Sequence, residues 1–128
     1  MKLLLDTHAF LWFIDGNTKL SRKARSLIEE DENEKLVSMA SLLEIAIKTS
    51  LGKLRLDQPF ENFISLQLQH NDFHLFPLTT AHAVGLSCLP FHHRDPFDRM
   101  IIAQSLVENI PVLSSDVAFD DYGIQRLW

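Results

Sequence analysis

Carboxylates are the side chains best placed for chemistry in this 128-residue chain, and four of them occupy unusual positions. Asp6 directly follows the apolar run Lys2 to Leu5 in KLLLDTH, and Asp116 follows Pro111 to Ser115 in PVLSSDVAF. Asp98 lies in HHRDPFDRMIIAQSL, and Glu44 is the one charged side chain in LVSMASLLEIAI, residues 36–47. Each has a plain structural explanation. Asp6 and Asp116 suit the N-cap of a following helix, where the carboxylate accepts from free N–H groups of the first turn. Asp95 before Pro96 makes another helix start, with Asp98 in the first turn where the helix dipole favours it. Glu44 and Lys48 have the i, i+4 spacing of a solvated ion pair. Asp98 is explained less fully, because reciprocal capping from its position prefers the longer Glu or Gln.

Jointly the structural explanations weaken, since Asp6 and Asp116 directly follow expected strands and Glu44 and Asp98, on the helices, are read at the same carboxyl end of the sheet. Carboxylates converging there repel one another unless a cation or a raised pKa relieves them. Hard oxygen donors select Mg²⁺ or Mn²⁺. Zinc fits less well, because the chain has a single cysteine, Cys88, and no histidine pair at ligand spacing within one expected helix; His92 and His93 read as solvated loop residues.

The elements that must position these acids follow from the hydrophobic pattern. Lys2 to Leu5, Leu36 to Met39, His74 to Leu78, Pro111 to Ser115 and Ile124 to Leu127 are strand-like, several without the polar alternation of a half-exposed sheet. Helical spacing separates them. Thr7 to Ile14 suits a helix after Asp6, Ser21 suits the cap of a helix burying Ala24, Leu27 and Ile28, and Phe60, Phe63, Ile64 and Leu68 mark another. Thr79 or Thr80 opens a further helix ending near Pro90, and Asp116 a short one through Phe119. Strands alternating with helices over short connections predict an α/β fold, a parallel sheet covered on both faces by right-handed crossovers. Such a sheet places its working residues in a crevice outside the carboxyl ends of the strands.

Length predicts one domain over residues 1–128, and the 46% hydrophobic content excludes a disordered or collagen-like chain. The lone cysteine favours a reducing compartment, hence a cytoplasmic location. The apolar N-terminal stretch MKLLLDTHAFLWFI is broken by Asp6 and is shorter than the roughly 20 residues that span a bilayer, so it reads as folded structure with no membrane role. A net charge of −5 argues against nucleic acid at first sight. Five of the 17 acids, however, lie between Glu29 and Glu34, where they read as a solvated turn, and without them twelve acids face twelve bases. Setting aside the four candidate site acids leaves eight against twelve, with Lys19, Arg22, Lys23 and Arg25 in one group and Lys48, Lys53 and Arg55 in another.

The segments LLLDTHAFLW, SLLEIAIKTSLGKL, HHRDPFDRMIIAQ and PVLSSDVAFDDYG, in that order, resemble PIN-domain proteins, specifically the VapC-type toxins of toxin–antitoxin systems. The resemblance runs from near residue 3 to near residue 123. It implies a three-layer sandwich with a central parallel sheet and an endoribonuclease site that uses one or two Mg²⁺ ions. Carried across residue by residue, the family acids fall on Asp6, Glu44, Asp98 and Asp116, with Thr7 and Ser114 as supporting hydroxyls and Asp95 behind them. Asp6, Asp98 and Asp116 are expected to hold the ion directly or through water, and Glu44 to ligate or to orient the attacking water. Arg99, Lys48 and Arg94 are candidates for holding phosphate. The implied partners are an RNA substrate, a second copy in a homodimer, and a small VapB-like antitoxin, with Phe10, Leu11, Trp12 and Phe13 as either groove wall or core.

Two rival readings remain. A haloacid-dehalogenase-like phosphatase needs a second Asp two residues after the first, where this chain has His8. A non-catalytic PIN-like module that binds RNA or protein would not need all four acids.

Overall fold

Leu3, Leu4 and Leu5 are completely buried although successive strand side chains point to opposite faces, so the strand that carries them is covered on both sides. The computed structural model describes residues 1–128. Its strands are β1 (Lys2–Leu5), β2 (Glu34–Ser38), β3 (Phe73–Phe76), β4 (Val112–Leu113) and β5 (Arg126–Leu127). All pair in parallel, in the order β3-β2-β1-β4-β5. The chain therefore adds strands on one side of β1 and later returns to its other side. That reversal opens a crevice between the carboxyl ends of β1 and β4.

Six α-helices make the crossovers: α1 (Thr7–Asp15), α2 (Arg22–Glu29), α3 (Met39–Ser50), α4 (Phe60–His70), α5 (Thr80–Ser87) and α6 (Pro96–Glu108). A short 3₁₀ helix, Val117–Tyr122, joins β4 to β5. Leu3, Leu5, Val37 and Leu113 pack on one face of the sheet against residues of α1 to α4 such as Phe10, Ile28, Ile45 and Phe63. Leu4, Leu36 and Val112 pack on the other face against Ile101 and Ile102 of α6 and Phe119. The result is the three-layer α/β sandwich expected from the alternating pattern. No helix is long and apolar enough to cross a membrane.

The strand boundaries differ from the apolar runs for local reasons. β2 stops at Ser38, whose side chain accepts from Ala40 N and caps α3, so Met39 is helical instead of closing the strand. β4 and β5 are two residues each because the pairing is short, although Ser114 beyond β4 stays buried. Expected caps at Asp6, Ser21, Thr79, Asp95 and Asp116 all form, each accepting from a first-turn N–H.

Gln104 joins the layers. It is fully buried, accepts from Ser38 Oγ at 2.5 Å, and donates to the carbonyls of Phe76 and Pro77 at 3.4 and 3.2 Å. Thus α6 is tied to the carboxyl ends of β2 and β3. Gln104→Ala leaves those groups unpaired beside a cavity, and urea unfolding should show a loss of about 3 kcal/mol. A loss below about 0.5 kcal/mol, within the range of ordinary surface substitutions, would contradict this role.

Candidate metal centre

Asp6 is buried at the end of β1, where its Oδ1 accepts from Ala9 N at 2.8 Å and its backbone N–H bonds to Leu113 O. Asp116 follows β4, on the other side of the crevice. Its Oδ1 accepts from Ala118 N at 3.0 Å and its own N–H donates to Ser114 Oγ at 3.0 Å. Asp98 sits in the first turn of α6, whose cap Asp95 accepts from Phe97 N and Asp98 N. Glu44 enters from α3, only 5% exposed, with Lys48 Nζ 2.6 Å from its Oε2. The capping and ion-pair explanations are therefore correct as far as they go. At Asp116 one carboxylate oxygen serves the helix and the second contacts His93 in the crevice. The Glu44–Lys48 pair, expected to be solvated, has its carboxylate buried.

The charges are close enough to act on one another. Burial pushes the Asp98 carboxyl up to about 7, and Asp95, Asp6 and Glu44 push in the same direction while His93 opposes them. Burial also raises Asp6, with a smaller push from Asp116; the Ser114 hydroxyl, Ala9 N–H and His8 pull it down. Lys48 is held up by its bond to Glu44 and by the Asp95 and Asp98 charges. Carboxyl groups thus converge from β1, α3, α6 and the end of β4. The ligand atoms of His93, Asp98 and Asp116 all lie within 4.8 Å of one another; Asp6 and Glu44 are not part of that group.

Two expectations require correction. Arg99 is not free to hold phosphate: it is 6% exposed, its guanidinium donates to Pro90 O at 2.8 Å and Leu89 O at 3.2 Å, and it lies 3.9 Å from the Phe91 ring centre. It holds the loop before α6 instead. His93 is not a solvated loop residue, since its side chain is 14% exposed and its Nε2 lies 2.8 Å from Asp116 Oδ2 and 3.2 Å from Asp98 Oδ2. A histidine two residues before a helix-capping Asp was the available signal, because its Nδ1 accepts from Asp95 N at 3.1 Å. Tyr122 also went unnoticed. Its hydroxyl accepts from His92 N and His93 N and donates to Pro90 O. Of the other expected residues, Thr7 donates to Ser41 and ties α1 to α3 behind the site, Arg94 is exposed, and Lys48 stays at the rim with its Glu44 bond.

The sequence matches the PIN domain over residues 3–125, nearly the whole chain. The chain belongs to the PIN domain family. No curated protein matches it in sequence. Solved structures share the fold. A chain in the crystal structure of VapBC2 from Rickettsia felis, bound to a promoter DNA fragment, superposes with a TM-score of 0.74 at 13% identity, covering 99% of this chain and 98% of that one. FitAcB from Neisseria gonorrhoeae gives 0.67 at 14%, covering 98% and 96%. VapBC-1 from nontypeable Haemophilus influenzae gives 0.67 at 15%, covering 99% and 97%. At such identities the likeness is one of fold, and this PIN domain's site rests on its own residues.

The donor set fits a hard divalent cation: several carboxylates, held by helix caps, in a place where their mutual charge is costly. With its pKa raised, Asp98 binds a proton in the folded chain that the unfolded chain releases near pH 4, so without added metal its ionisation lowers stability as pH rises towards about 7. Asn cannot ionise. Asp98→Asn should therefore raise the chelator-treated protein's Tm at pH 8 by about 3 °C or more and change it less at pH 5. A lower Tm for the variant at pH 8 would contradict the crowding.

Proposed function

We propose that this PIN domain is a divalent-metal-dependent endoribonuclease and the toxin of a toxin–antitoxin pair. The observation that carries the reading is the convergence of Asp6, Asp98, Asp116 and buried Glu44 on one crevice, with the Asp98 carboxyl raised to about 7 by burial first and by the charges of Asp95, Asp6 and Glu44 after it. A non-catalytic module has no use for such crowding, which lowers stability without added metal. Asp6, Asp98 and Asp116 would hold Mg²⁺ or Mn²⁺. A bound ion supplies a more acidic water and offsets charge on the scissile phosphate. Glu44, buried and bonded to Lys48, would orient the attacking water or complete the ion's shell. Ser114 and Asp95 keep the acids in place through the Asp116 and Asp98 N–H groups.

Arg94 and Lys53 are exposed cations for the RNA backbone, and Lys48 adds its charge at the crevice rim. A cleft of about 270 Å³ runs from Glu44 and Thr7 between α1 and α3, walled by Leu11, Trp12, Lys48 and Lys53. Leu11 and Trp12 therefore do line a groove, whereas Phe10 is wholly buried core and Phe13 packs edge-on against Phe73. The neighbours' presence in VapBC structures supports a small antitoxin as partner; the proposal further takes this groove as its seat, a homodimer as the working form and, from the lone cysteine, a cytoplasmic setting.

Two experiments test the reading. Purified protein should cleave RNA in Mg²⁺, and Asp6→Ala or Asp98→Ala should reduce the rate by at least about 100-fold. Wild-type rates in both folded variants would refute the site. Co-expression with the neighbouring open reading frame should yield a copurifying small protein; a chain that neither binds it nor slows growth is not a toxin.

A further inference from the structure

The loop of residues 89–95 delivers an imidazole into the acid cluster and is built to hold it there. Tyr122 Oη accepts from His92 N and His93 N at 2.9 and 2.8 Å, and donates to Pro90 O at 2.8 Å. Arg99 fixes the carbonyls of Leu89 and Pro90, and the His93 ring meets Phe119 edge-on, with centroids 5.8 Å apart.

The hydrogen bonds also fix the proton on that ring. Asp95 N–H donates to His93 Nδ1 at 3.1 Å, so Nδ1 carries a lone pair and no proton. The neutral ring then bears its proton on Nε2. That N–H points between Asp116 Oδ2 at 2.8 Å and Asp98 Oδ2 at 3.2 Å, and donates to them. A histidine ligates a metal through a bare nitrogen. For Nε2 to ligate, its proton would have to move to Nδ1, facing the Asp95 N–H at 3.1 Å, two donors head to head. Asp95 is not free to turn away, because its carboxylate caps α6 through Phe97 N and Asp98 N.

We propose that His93 is a placeholder for the ion: its Nε2–H holds the Asp98 and Asp116 carboxylates together and is displaced when a divalent cation binds between them. His93 thus sets the ion affinity of the site without being a ligand. The inference rests on the metal-dependent reading above and concerns only how the ion competes for its carboxylates. A neutral N–H donor relieves the repulsion between the two acids only in part, so a divalent charge replaces it at a cost, and that cost is the affinity His93 withholds.

Mn²⁺ binding to chelator-treated protein tests this without any RNA. His93→Ala should bind Mn²⁺ about tenfold more tightly than wild type, the scale of one charge-assisted hydrogen bond, with a larger ion-induced rise in Tm. The pulsed EPR spectrum of Mn²⁺ on the wild-type protein should show no histidine nitrogen coupling. Weaker or unchanged binding in His93→Ala, or nitrogen coupling in the wild type, overturns the proposal and leaves the metal site standing. No Mn²⁺ binding by wild-type protein overturns the metal reading and the proposal with it. Nitrogen NMR of the wild-type protein gives a measurement independent of the variant's folding. The protonated Nε2 should lose its hydrogen-bonded shift on addition of Mg²⁺ while neither ring nitrogen moves to a coordinated position; a coordinated Nε2 contradicts the proposal.

Discussion

Like charge in a confined place governs this molecule. Parallel pairing puts the carboxyl ends of β1 and β4 side by side, and the chain reverses its direction of sheet growth there, so the segments after both strands open into one crevice. Asp6 and Asp116 follow those strands, α6 brings Asp98, and α3 brings Glu44. Burial and mutual repulsion raise the Asp98 carboxyl to about 7, which means the arrangement has a free-energy cost that a simpler fold would avoid.

The surrounding structure bears that cost with backbone N–H groups and a few side chains. Asp6, Asp95 and Asp116 are each a helix N-cap, so each carboxylate accepts from the free N–H groups of a first turn. Lys48 neutralises Glu44 at the rim, Ser114 supports Asp116 from below, and His93 bridges Asp98 and Asp116. Arg99 and Tyr122 act at one remove by fixing the loop that carries His93. A capping role does not exhaust such a residue, because a carboxylate has two oxygens: Asp116 caps its helix with Oδ1 and meets His93 with Oδ2.

Much of this was legible in the sequence, and the exceptions have physical causes. Lys2 to Leu5 read as a strand and is one, because Leu3 to Leu5, apolar on both faces, suit the covered centre of an α/β sheet. The helix starts at Ser21, Thr79 and Asp95 were legible since capping residues act within three positions of themselves. Met39 was misplaced because apolarity cannot distinguish the last strand residue from the first helical one; the Ser38 hydroxyl decides that. The acids Asp6, Glu44, Asp98 and Asp116 stood out by position. His93 and Arg99 did not yield to the same logic. A histidine bonded to a backbone N–H two residues on leaves no periodic trace, and an arginine beside acids suggests phosphate until the carbonyls of Leu89 and Pro90 are seen to engage it.

If a cation is what the crowding awaits, the Asp98 carboxyl must titrate in two different ways. Carbon-detected NMR of the side-chain carboxyl groups, followed from pH 4 to pH 9, reads this directly. Without divalent ion Asp98 should titrate near 7, and with saturating Mg²⁺ its midpoint should fall by two units or more. A carboxyl that titrates near 4 and ignores Mg²⁺ would contradict the account.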